Sequence, residues 1–239
     1  MSTEQQFLDD AYLKEAPATV TAHTDRGGVV LDRSIFYATG GGQPGDRGVL
    51  RFDGGEMEVA TTVKGEGGDI VLVPPEGAAL PPVGAEVMQV IDWDIRHRHM
   101  RIHTALHLLS VVIPLPVTGG QIGPEKGRLD FDMPDPIEDK QALEDALNAL
   151  IARDLEVTQD WITDAELAAN PGLVKTMSVQ PPKGAGRVRL IRIGTEDEQI
   201  DLQPCGGTHV ARTIEIGMIR LGKVEKKSRL NRRVNIHLT

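Results

Sequence analysis

The chain has 239 residues, 40% of them hydrophobic and 26% charged, which is enough apolar matter for a core and excludes wholesale disorder. A single cysteine excludes an internal disulfide, and no apolar run of membrane-spanning length or charged-then-apolar leader is seen; both facts favour the cytoplasm as the expectation. The net charge of −9 opposes nucleic-acid binding overall, but residues 183–239 hold 12 Lys/Arg against 6 Asp/Glu. A basic end on an acidic body can meet a phosphate backbone locally, or can be a solvated strand surface.

Residues 1–91 are rich in Gly and Pro, with short β-prone runs between turns. "ATVTAH", "GGVVLD", "GVLRFDGG", "EMEVATTV", "GDIVLV" and "AEVMQVID" read as strands of a small β-barrel-like domain. "VPPEGAALPPVG" (73–84) is a proline-rich loop. From residue 92 the character changes. Asp92 can cap a helix from Trp93 to Ile113, with Ile102, Leu106, Leu109 and Ile113 as its apolar stripe and Pro114 and Pro116 as its stop. "VTGGQIG" (117–123) reads as a loop and "GRLDFDM" (127–133) as a strand. Asp135, Pro136 and Glu138 have the signature of a helix start, and that helix runs to Asp154 with Leu143, Leu147, Leu150 and Ile151 inward. Thr163 and Glu166 open a short helix that ends at Asn170-Pro171-Gly172. "GRVRLIRIG", "EQIDLQ", "GMIRLGKVEKKS" and "NRRVNIHL" then read as strands. The fold class is therefore α+β: a β domain over 1–91 followed by an α/β domain over 92–239.

Within the first helix, His99, His103 and His107 recur at every fourth position. Residues so spaced share one helix face, and two imidazoles in that relation can grip one metal ion. A tetrahedral site needs further ligands from another element. "DLQPCGGTHVA" (201–211) supplies Cys205 and His209, separated by a glycine pair that permits a tight turn. His-x3-His with Cys-x3-His is a set of borderline-soft donors suited to Zn²⁺, one ion per chain. The spacing is not that of a zinc finger, and the glutamate of the H-E-x-x-H proteases is missing. Spacing leaves the pairs 99/103 and 103/107 both open. His107 borders the apolar stripe while His99 lies in an arginine-rich turn, so 103/107 is expected to be the more buried pair. His97 and His99 are taken as structural.

Taken together, "RIHTALHLL" and "CGGTHV" resemble the editing domain of alanyl-tRNA synthetases and of free-standing alanyl-tRNA editing proteins. "FYATGGGQPGDRGVL" (36–50) resembles the glycine-rich segment of the preceding β domain in that family, and "KKSRLNRRVNIHL" resembles its closing strand pair. The resemblance implies an α/β two-layer sandwich of the threonyl/alanyl-tRNA synthetase editing type for 92–239, with a metal on His103, His107, Cys205 and His209. It also implies a deacylase that cleaves the ester between a wrong amino acid, chiefly serine and secondly glycine, and tRNA(Ala). The length and the lack of a GxxxxGK[ST] loop are those of the free-standing form acting in trans, for which ATP binding is not expected.

The chemistry leaves choices open. Zinc can activate a water, polarise the carbonyl or hold the substrate amine, and a fully four-liganded ion would instead be structural. Serine is larger than alanine, so no steric sieve admits one and excludes the other; the site must hydrogen-bond the serine hydroxyl. "VTGGQIG" offers Thr118 and Gln121, and the resemblance favours Thr118. Gly41 and Gly42 read either as turn glycines or as backbone N–H donors to the substrate end. Arg220, Lys223, Lys226, Lys227, Arg229, Arg232 and Arg233 are candidate tRNA phosphate contacts. Two rival readings are a non-catalytic tRNA-binding module with a structural zinc, and a zinc hydrolase of some other acyl ester.

Overall fold

The structure, a computed structural model, describes residues 2–175 and 186–239. The chain is α+β and divides into two units, one ending at His97 and the other beginning at Arg98. No helix among the described residues is long and apolar enough to cross a membrane.

The first unit contains β1 (Glu4–Gln5), α1 (Gln6–Asp9), β2 (Glu15–His23), β3 (Val29–Leu31), β4 (Arg33–Ser34), β5 (Gly48–Phe52), β6 (Gly55–Val59), β7 (Thr61–Lys64), β8 (Ile70–Val73) and β9 (Glu86–Ile91). Seven of these strands form one antiparallel sheet in the order β6-β5-β9-β2-β3-β8-β7, while β1 and β4 make a short parallel pair. Laid flat, seven strands would hold their outer edges roughly 29 Å apart. Yet the edge strands β6 and β7 are joined through Ala60 alone. The sheet must therefore curl until its edges nearly meet, around a core that includes Leu31, Leu50, Met57 and Leu72. The run 56–63, expected as one strand, is thus two strands on opposite edges. The inward face shifts by one residue across Ala60, from Met57 and Val59 to Thr62, a polar residue whose burial the hydrophobic pattern does not announce.

Below the glycine-rich segment lies a buried ion pair. Arg96 Nε sits 3.0 and 2.9 Å from the two Asp46 oxygens, and its Nη atoms donate to Ala11 O at 2.9 Å and Ile35 O at 2.6 Å. Asp46 also accepts from Tyr37 N at 2.6 Å. Both side chains are excluded from solvent, and their donors and acceptors are matched, which such burial demands.

The helix α2 (Trp93–Val112) begins in the first unit and continues into the second. Asp92 Oδ1 accepts from Ile95 N at 3.3 Å, the cap expected, and the helix stops before Pro114. Its expected apolar stripe is buried, but so are Met100, Ala105, Leu108, Thr104 and Ser110, so little of its second half faces solvent.

The second unit adds β10 (Val117–Ile122), β11 (Lys126–Asp132), α3 (Lys140–Ala152), β12 (Val157–Thr163), α4 (Asp164–Ala169), β13 (Arg187–Gly194), β14 (Gln199–Pro204), β15 (Ile219–Lys226) and β16 (Asn231–Leu238). They form a four-stranded sheet, β10-β11-β16-β15, and a three-stranded sheet, β12-β13-β14. The stretch expected as a loop, 117–123, is strand β10, recruited by pairing with β11 despite its two glycines. Strand β12 had no expectation; its exposed, mixed-polarity sequence is held by β13. The helix α3 starts later than expected. Its cap is Asp139, which accepts from Ala142 N, and the 135–138 signature precedes it. The capping box of Thr163 and Glu166 opens α4. α3 covers the open edge of β15: Asn148 exchanges two hydrogen bonds with the Ile219 backbone, at 2.8 and 2.9 Å, and Glu144 accepts from Leu221 N at 2.7 Å.

Candidate metal centre

Two consecutive inward turns of α2 carry His103 and His107, and the turn after β14 carries Cys205 and His209. One donor atom from each lies within 4.8 Å of the other three. Cys205 Sγ is 3.4 Å from His103 Nε2 and 3.3 Å from His209 Nε2. Tetrahedral bonding with Zn–S near 2.3 Å and Zn–N near 2.05 Å would put a sulfur and a nitrogen about 3.6 Å apart. The observed separations suit either such an ion or a thiolate–imidazole hydrogen bond, and the donor set is one that fits zinc.

The turn that brings Cys205 inward is built from β13. Cys205 N donates to Arg189 O at 3.1 Å, and Arg189 Nη1 returns to Gly207 O at 2.8 Å and Cys205 O at 3.2 Å. Gly207 N approaches Sγ at 3.5 Å, so a backbone dipole helps hold a thiolate.

Each of two imidazoles is oriented by its other nitrogen. His107 Nδ1 lies 3.0 Å from Asp201 Oδ2, which also accepts from Gln203 Nε2 at 2.7 Å, while Lys175 Nζ meets Oδ1 at 2.5 Å. His209 Nδ1 pairs with Thr104 Oγ1 at 3.1 Å, and Thr104 donates to Met100 O at 3.0 Å. A Thr hydroxyl has one hydrogen, so His209 carries the proton on Nδ1 and frees Nε2 as a ligand atom. Neither Asp201, Lys175 nor Thr104 was singled out from sequence. The only local signal was Asp201, an acid alternating inward within an otherwise strand-like run.

The charges are set by the same contacts. Burial disfavours imidazolium at His107, but Asp201 and the Cys205 sulfur outweigh it and push its pKa up to about 9. Burial works against ionising Asp201, yet His107 and Lys175 bring it down to about 2. Burial likewise opposes the Cys205 thiolate, and the surrounding imidazoles overcome it, holding the thiol well below its ordinary range. His209 is held well below the usual imidazole range by burial and by His103. Thiolate Cys205 and neutral His209 are the forms in which these side chains bind metal.

The remaining expected residues lie elsewhere. His97 stacks on Trp93, ring centroids 5.3 Å apart. His99 is 3% exposed, against 8% for His103 and 7% for His107. Burial therefore does not separate the two histidine pairs as expected; the position of Cys205 does. Thr118 lies on β10, where its hydroxyl donates to Asp130 O at 3.1 Å and accepts from Asn231. Gln121 is exposed and accepts from Arg128 Nε at 3.2 Å. Gly41 and Gly42, both at positive φ, form an exposed two-residue turn closed by Gly40 and Gln43. Among the basic residues, Arg233 binds Asp130 at 2.8 and 3.0 Å and Lys227 binds Glu225 at 2.8 Å. Arg232 donates to Asp135 O and Pro134 O, and Arg220, Lys223, Lys226 and Arg229 are exposed, with no ion pair among the described residues.

Known proteins resemble this chain over nearly its whole length. A family described as "Threonyl and Alanyl tRNA synthetase second additional domain" matches residues 188–235, which include Cys205 and His209, and "tRNA synthetases class II (A)" matches residues 3–95. An alanyl-tRNA editing protein AlaX-M of Methanosarcina acetivorans is 38% identical, with 97% of each chain covered. That of Saccharolobus solfataricus is 36% identical, again over 97% of each. The chain belongs to the AlaX-M family of alanyl-tRNA editing proteins. It is also 36% identical to the alanine–tRNA ligase of Pyrobaculum calidifontis over 94% of its own length, but spans only 25% of that enzyme.

Proposed function

We propose that this protein is a trans-acting deacylase that hydrolyses the ester joining serine, and secondarily glycine, to the 3′ end of tRNA(Ala), in the cytoplasm. The observation that carries the reading is the convergence of His103, His107, Cys205 and His209, drawn from two distant elements. The names of its AlaX-M relatives support the editing role. His103, His107, Cys205 and His209 would hold one Zn²⁺, which when bound supplies a Lewis acid for the ester or its attacking water. Asp201 holds the His107 Nδ1 side, so metal binding at Nε2 would displace a proton from His107 and join a Cys205 thiolate and a neutral His209.

Serine must be preferred over alanine by a hydrogen bond. Thr118 gives its hydrogen to Asp130 O, so its remaining role toward a serine hydroxyl is as acceptor. The exposed turn at Gly41 and Gly42 is proposed as a backbone contact for the RNA end.

The test is deacylation of seryl-tRNA(Ala) by the wild type, His103→Ala and Cys205→Ala, with zinc content measured on each. Loss of both zinc and activity in the variants supports the reading. Equal rates in all three proteins end it, and zinc loss that unfolds the domain in a wild type without activity favours the structural-zinc alternative.

A further inference from the structure

We infer that one row of side chains across the four-stranded sheet, Arg220, His237 and Lys126, grips the phosphate backbone of the RNA substrate. The inference rests on the proposed function and adds a site to it.

The sheet has one dry and one wet face. On β11, Gly127, Leu129 and Phe131 are buried while Lys126, Arg128 and Asp130 are not; on β16, Val234 and Ile236 are buried while Arg233, Asn235 and His237 are not. Residues directly opposite on neighbouring strands share a face. The register sets Arg220 opposite His237 and His237 opposite Lys126. Three nitrogen-bearing side chains thus stand in line over two strand spacings, roughly 10 Å.

Gly222 shapes the place. A Cβ there would lie 2.5 Å from His237 Nε2, so the imidazole lies across the β15 backbone only because residue 222 has no side chain. The result is a shallow depression lined by Arg220, Gly222, His237 and the chain end at Leu238 and Thr239.

The charges of this row are unspent. Arg220 and Lys126 have no ion pair among the described residues, whereas Arg128 and Arg233 share Asp130. The acids of the wet face, Asp130, Asp132 and Glu225, stand toward the other end of the sheet. Asp130 is four residues from Lys126, roughly 13 Å along the strand. Exposed Glu125, in the bend before β11, is an acid that adjoins the row. Two cations flanking an imidazole, with no Phe, Tyr or Trp among the described residues lining the depression, suit a sugar–phosphate chain, with no base readout.

The test measures binding of unacylated tRNA(Ala) transcript between about 50 and 200 mM salt. It compares the wild type, the triple variant Lys126→Gln, Arg220→Gln, His237→Gln, and a control carrying Arg51→Gln and Lys140→Gln. The row variant is expected to bind about 10-fold or more weakly, with the slope of log Kd against log salt reduced by about 1.5–2, and the control to match the wild type. The single reversal Arg220→Glu, at an exposed position, repeats the test without reshaping the depression. An unchanged slope in both row variants, in a wild type that still deacylates seryl-tRNA, overturns the site and leaves the function standing. A wild type that neither binds nor deacylates removes both.

Discussion

His107 Nδ1 and Asp201 Oδ2 lie 3.0 Å apart in the interior, and Lys175 and Gln203 occupy the rest of the same carboxylate. The imidazole is thereby fixed in ring angle and tautomer, and its Nε2 is aimed at Cys205 and its companions. Carboxylates placed behind a metal-binding histidine in this way raise its basicity and restrict its motion. Asp201→Asn should therefore weaken zinc binding about 10- to 100-fold, as read by competition with a chelating dye. Unaltered zinc affinity in a folded Asp201→Asn protein would leave the carboxylate as packing alone.

Thr118 bridges β10, β11 and β16 through Asp130 O and Asn231. Thr118→Val is nearly isosteric but removes the hydroxyl. It should lower the ratio of seryl- to alanyl-tRNA hydrolysis and cost about 1–2 kcal/mol of stability, since Asn231 loses an acceptor. The two effects are separable: stability loss with an unchanged ratio takes Thr118 out of substrate selection.

Arg96 and Asp46 make the most deeply buried ion pair described. Arg96→Met leaves Asp46 charged and stranded, and should cost about 3–5 kcal/mol in urea unfolding. The double variant Arg96→Met, Asp46→Asn should recover part of that loss. A double variant no better than the single would mean that the backbone bonds to Ala11 and Ile35 dominate.

Asp130 is half-buried, and although burial opposes its charge, Arg233 and Arg128 hold its carboxyl below the usual range. A carboxylate with a depressed pKa stabilises the fold above its unfolded pKa, about 4, and loses that contribution as pH falls through the folded value. Asp130→Asn should cost about 1 kcal/mol at pH 7, with solvent screening keeping it small. The gap to wild type should close below about pH 4. Thermal melts at both pH values check this, and a gap independent of pH would exclude the carboxylate's ionisation as its source.

The helix limits were legible because they are local: Asp92 caps, Pro114 cannot continue, and the hydrogen-bonding consequence lies within four residues. The four clustered donors were legible for a chemical reason. Imidazole and thiol are rare, and their spacing on a helix and in a glycine turn carries meaning before folding. The strand break at Ala60, the pairing of β10 with β11 and the late start of α3 were not legible, because each depends on which distant strand or cap is present.

The order of chemical types along the chain alone determined that four soft donors, a glycine-rich β region and a basic end exist, and that two turns of one helix can offer imidazoles to a common point. Only the tertiary structure decided which histidine pair meets Cys205, that Asp201, Lys175 and Thr104 stand behind the clustered side chains, and which arginines lack an ion pair among the described residues. Those outcomes follow from strand register and from burial, where a charge must find a partner or leave the interior. Both are properties of residues far apart in the chain and adjacent only once it has folded.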